Sequence, residues 1–168
     1  MGLEAMPLSP EWATFFSAEL AALAALTGFV VVAISINLAR ILSYPHLPSR
    51  AAEALIGPVG AITATSLVLI PGQPSWLLGG EVVVAGLVMA IVPTVVQVRS
   101  WGSRSEATAV EHATRAVMSV GFALAFVIGG AFLVFASVAG LFWIAAGDIA
   151  SLVAVVFNSW VLMVEILR

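Results

Sequence analysis

The 32 residues from Ala116 to Gly147 contain no charged side chain. A helix crosses the hydrocarbon core of a bilayer with about 20 apolar residues. The run is therefore too long for one upright crossing, and a turn is expected inside it, at Gly140. Similar runs precede it: no charge falls between Glu19 and Arg40. Only 9% of the 168 residues are charged, whereas a soluble domain carries about 25%. So few charges cannot clothe a water-soluble fold, but lipid asks for no polar surface. The lipid bilayer is the expected surrounding.

Turn chemistry divides the chain into segments. Pro45 and Pro48 bracket the first turn, and Pro71-Gly72-Gln73-Pro74 marks the second. Proline lacks the N–H that a helix interior needs. A polar stretch, Arg99 to Glu111, forms the third connection, and Pro93 predicts a kink just before it. The expected architecture is one all-α domain, residues 1–168, a polytopic bundle of five transmembrane helices. The spans fall at about 14–38, 54–70, 77–98, 116–139 and 146–167. A four-span alternative fuses the last two. Met1 to Pro10 carries no positive charge, so the first segment is expected to remain as a span rather than act as a cleaved signal.

Five spans place all six arginines on one side: Arg40, Arg50, Arg99, Arg104, Arg115 and Arg168. Bases stay cytoplasmic, so the N-terminus is expected outside and the C-terminus in the cytoplasm of a bacterial inner membrane. Trp12, Trp76 and Trp143 then lie near the outer interface and Trp101 near the inner one, while Trp160 falls deep in the last helix. The inner side has a surplus of two positive charges. The outer side holds Glu4, Glu11, Glu19, Glu81 and Asp148 with no base.

Ionisable groups within spans are costly, and each is a candidate for function. Glu19, Glu81 and Asp148 each fall in the outer turns of a span. Together they suit an acidic mouth that attracts inorganic cations. A plainer account is that insertion excludes arginine from the outside and leaves the acids. On the last helix Ser151, Asn158 and Glu165 recur every seven residues, and Asp148 precedes Ser151 by three. Residues so spaced share a helix face. This polar seam should avoid lipid, either as hydrogen-bonding glue between helices or as the lining of a pore. On the first helix Glu19 and Asn37 share a face. Thr27 lies mid-span, where it can bond its own backbone. Arg40 is expected to snorkel to headgroups. Small residues at four-residue spacing mark close helix contacts: Ser17, Ala21 and Ala25, Ala24 with Gly28, Gly57 with Ala61, Gly60 with Ala64, and Gly121, Ala125 and Gly129.

Other chemistries are poorly served. The chain has no cysteine and two histidines, His46 and His112, without a spaced ligand partner. Its net charge of −3 argues against nucleic acid. Gly79-Gly80 reads as a turn rather than a phosphate cradle. Its single other acid type, one Asp, does not make the paired-aspartate arrangement of an intramembrane protease. No catalytic, metal or cofactor site is expected. Without an inverted pair of helix groups, a duplicated transporter is disfavoured.

Three stretches carry a resemblance: Leu26-Thr27-Gly28 through Ser35-Ile36-Asn37-Leu38, then Leu69-Ile70-Pro71-Gly72-Gln73, then Asn158-Ser159-Trp160 through Glu165-Ile166-Leu167-Arg168. Together they resemble small bacterial, often actinobacterial, membrane proteins labelled "modulator of FtsH protease". The resemblance covers span order over most of the chain and specific motifs over about a fifth. It carries over Thr27, Asn37, Asn158 and Glu165, and implies an accessory role beside a membrane protease. Two expectations therefore stand: a homo-oligomeric cation channel, and a non-conducting partner of a membrane complex.

Overall fold

The computed structural model describes residues 8–44, 47–100 and 109–167. Every element in them is helical: α1 (Pro10–Ile36), α2 (Leu38–Ser43), α3 (Leu47–Val68), α4 (Ser75–Ser100), α5 (Ala109–Val134) and α6 (Ala139–Leu167). Four helices are long and apolar enough to cross a membrane: α1, α3, α4 over Ser75–Val95, and α6 over Ala139–Phe157. In α5 the apolar stretch is Val120–Val134. Large side chains face outward all round the bundle, among them Phe29, Ile36, Phe135 and Trp160. Even in α6, only 44% of the apolar window is buried inside the protein. Water would not tolerate such a surface, whereas lipid does.

Several boundaries differ from those expected, for physical reasons. Helix α1 begins at Pro10, four residues before the expected start. Proline suits the first helical position because the N–H it lacks has no partner there. Pro48 enters α3 in its first turn by the same logic. The interior Pro58 is kept within α3 as well. At the C-terminal end of α1 the chain breaks at Asn37 and restarts as the six-residue α2. The last turn occupies 135–138 rather than Gly140, with Ala136 at a φ of 56°. It separates α5 from α6, so these two segments do not form one continuous helix. Gly79 and Gly80 lie inside α4, not in a turn.

Gly79 is a packing device, whereas Gly80 has open space around it. A Cβ on Gly79 would lie 2.6 Å from the Gly130 carbonyl oxygen and against the Val134 backbone nitrogen. One on Gly86 would lie 2.8 Å from Val127 Cγ2. Residues 79 and 86 of α4 thus meet residues 130 and 127 of α5, an antiparallel pair at backbone contact. Gly140 meets Gly129 in the same way, which joins α6 to α5.

Helix α3 touches α1, α4 and α6, and α5 closes the circuit between α4 and α6. Successive long helices are antiparallel, which leaves α1 and α6 side by side and parallel. Their starts are pinned together by Trp12, whose ring meets Phe142 edge-on at 4.8 Å and stacks on Phe16 at 5.5 Å. Lower down, Val30, Ala54 and Val155 join α1, α3 and α6.

Candidate functional site

Three helices, α1, α3 and α6, enclose the polar groups near the N-terminal ends of α1 and α6. Asp148 lies nine residues after Ala139, ~14 Å along the axis at 1.5 Å per residue. This is deeper than expected, because α6 begins seven residues earlier than its expected start at 146. Its side chain is completely buried. Gly147 beside it lets the Phe126 ring approach: a Cβ there would sit 2.8 Å from Phe126 Cε2.

The partner of Asp148 is Thr65 on α3, also wholly buried. The Thr65 hydroxyl stands 2.8 Å from each carboxylate oxygen and 2.9 Å from the Ala61 carbonyl oxygen. One hydroxyl proton therefore faces three acceptors. Ser151, one turn beyond Asp148, is 1% exposed, and its hydroxyl has no hydrogen-bond partner. Glu19 on α1 lies within electrostatic range of Asp148. Its Oε2 is enclosed and also lacks a hydrogen-bond partner. Like Asp148, Glu19 stands nine residues into its helix.

The remaining expected residues go elsewhere. Glu81 accepts a hydrogen bond from the Gln73 amide at 2.5 Å, beside the α3–α4 turn. The structure thus places Glu19 within electrostatic range of Asp148 and ties Glu81 to Gln73. Thr27 is buried and donates to the Leu23 carbonyl oxygen at 2.6 Å, which leaves its hydroxyl satisfied within α1. Asn37 spends its amide on the Ala33 carbonyl oxygen at 2.9 Å, where α1 breaks. Asn158 and Glu165 belong to α6 by backbone, but their side chains lie outside the described residues, as do His46 and Trp101. Arg40 is exposed on α2. The seam on α6 faces inward at Asp148 and Ser151, toward α3 and α1, and not outward from the protomer.

Thr65 was missed in the sequence, although a signal existed. The small-residue spacing of Gly57 and Ala61 reaches Thr65 at the next step of four, which puts a hydroxyl on a packed face. Among the described residues, no group of three or more acids or histidines could hold a metal ion.

The chemistry available is that of oxygen ligands and protons. A carboxyl in an apolar, water-poor bundle can be satisfied by a proton, by a small cation, or by hydroxyl donors. Thr65 supplies one donor and Ser151 holds another in reserve. No protein-family model, no curated protein and no solved structure matches this chain.

Proposed function

We propose that the chain is a five-span inner-membrane protein that passes cations, with Asp148 as the ion-binding carboxyl. In this reading the N-terminus is outside, the C-terminus is cytoplasmic, and the protein assembles as a homo-oligomer. Glu19 and the outer acids draw cations toward the packed interface of α1, α3 and α6. The observation that carries the reading is an aspartate with no exposed surface, held among apolar residues by one hydroxyl. An ionisable group at such a place is costly in a membrane bundle, which makes it a candidate for function. The one-sided arginines support the orientation.

Purified protein in liposomes tests this. A cation gradient should collapse with wild type and persist with Asp148→Asn, while Glu19→Gln should weaken cation over anion selectivity. Wild-type liposomes that hold their gradients at every cation and pH tried would overturn conduction.

A second reading has its own support. Ser17, Ala21, Ala24, Ala25 and Gly28 lie exposed on α1, and a Cβ on Gly28 would meet nothing within 4 Å. A smooth face of this kind suits a helix of another membrane protein, as the resemblance to protease modulators implies. Affinity purification in native lipid should then recover a stoichiometric membrane protease. Recovery of the chain with itself alone removes that reading and favours the homo-oligomer.

A further inference from the structure

We propose that Asp148, Thr65 and Ser151 form a proton-exchange site, with Glu19 as the carboxyl that trades protons with it from the outer side. The proposal deepens the conduction reading, and rests on it for the claim that the exchanged ion travels.

Coordination number separates a proton from a metal ion. Hard divalent cations gather about six or more oxygens. The described side chains around Asp148 offer its own carboxyl, the Thr65 hydroxyl bonded to it and the unpartnered Ser151 hydroxyl one turn away, with Glu19 at longer range. A proton needs one oxygen and one acceptor.

The hydrogen-bond inventory accommodates two states that differ by a single proton. With Asp148 neutral, its O–H donates to Thr65 Oγ1, and the Thr65 hydroxyl donates to the Ala61 carbonyl oxygen. The hydroxyl donors of Asp148 and Thr65 are then both used and no charge is buried. When the proton leaves, the Thr65 hydroxyl turns to the carboxylate, midway between its oxygens. That rotation moves no heavy atom, and Ala61 keeps the backbone bond of the helix. Ser151 explains itself in the same scheme. A buried hydroxyl without a partner is disfavoured, and Ser151 lies one turn from Asp148 on the same face, free to donate to the anion.

The surroundings give the proton a place to go. On α1, Glu19 lies within electrostatic range of Asp148. Its other acid, Glu11, lies two turns nearer the start of the helix. The other ionisable residues of α3, Arg50 and Glu53, are more than ten residues from Thr65, toward the opposite end. In α6 the next ionisable group is Glu165, 17 residues on. The part of α5 packed here, Val120–Val134, has none. Glu19 is thus the neighbouring acceptor, and its unpartnered oxygen suits the role.

Infrared difference spectroscopy of the full chain in lipid bilayers, titrated with pH, reads the site directly. A protonated-carboxyl C=O band should titrate in wild type and be lost in Asp148→Asn. Thr65→Val should keep the band but shift its frequency and midpoint, and Thr65→Ser should restore both. Glu19→Gln should move the midpoint without removing the band. Sodium or potassium added at constant pH should leave the band in place. A band that persists in Asp148→Asn overturns the proposal, as does a band displaced by sodium. Circular dichroism checks the fold of each variant, and Asp148→Glu, which keeps a titrating group with a moved midpoint, serves if the asparagine variant does not assemble. The readout does not depend on transport. A band that titrates in a protein passing no cation would sink conduction and leave the site standing, and conduction without the band would do the reverse.

Discussion

Replacing Thr65 by valine removes one hydroxyl and keeps the side-chain shape, so no cavity contributes. What remains is a buried carboxyl whose only hydrogen-bond donor among the described residues, at 2.8 Å, has gone. Leaving a buried polar group unsatisfied costs about 1–3 kcal/mol. Within membranes, interhelical hydrogen bonds measured by double-mutant cycles lie nearer 0.6 kcal/mol, and reach roughly 1.7. Ser151 can swing toward the orphaned carboxyl, which favours the lower part of the first range. The expected loss is therefore ~1–2 kcal/mol. Asp148→Leu alone should cost less than this, because Thr65 retains the Ala61 carbonyl oxygen at 2.9 Å. The double variant Thr65→Val/Asp148→Leu should recover part of the loss, giving a coupling of about 0.6–1.7 kcal/mol. Reversible unfolding in mixed micelles, followed by circular dichroism, measures all four corners of the cycle. Strict additivity, with no coupling beyond error, would refute the claim that the two side chains hold each other.

Three further outcomes are expected. Gly79→Leu should destabilise the bundle by roughly 1–3 kcal/mol in the same assay, because its Cβ meets the α5 backbone. Gly28→Leu, with open space around it, should leave protomer stability unchanged yet shift the oligomeric state seen by cross-linking if α1 forms the contact between copies. Because the chain lacks cysteine, single variants report topology without a background: Ser9→Cys and Ser137→Cys should react with an impermeant maleimide from outside, and Ser43→Cys only after the membrane is opened. Reaction of Ser9→Cys and Ser43→Cys from the same side would contradict the arginine-based orientation.

The helical character of the chain and its fit to lipid were legible because they follow from long apolar runs with few charges. Glycine misled the boundaries. Gly79-Gly80 and Gly140 suggest turns by the habits of soluble proteins, but here the missing side chains of Gly79 and Gly140 admit a neighbouring backbone. The real turn, at 135–138, carries no glycine and places Ala136 at positive φ, which sequence chemistry would not have chosen. Depth was lost for the same reason: with α6 starting at Ala139, Asp148 moved from a rim position to an enclosed one. The acidic members of the site were visible as isolated charges in apolar runs. Thr65 was not, because a threonine satisfied by its own helix looks the same whether or not a carboxyl faces it. Only the approach of α3 and α6 separates the two cases.

The doubly engaged Thr65 hydroxyl also bears on how the chain is made. Helix α3 is synthesised about eighty residues before Asp148 exists. Until then its hydroxyl can rest on the Ala61 carbonyl oxygen and wait in lipid without an idle donor. The aspartate arrives last, with the segment that slides in beside α1 and is fastened there by Trp12 and Phe142. A nascent chain cut short before α6 would be self-consistent but open on one flank. Asp148 enters when its receiving hydroxyl is already in position.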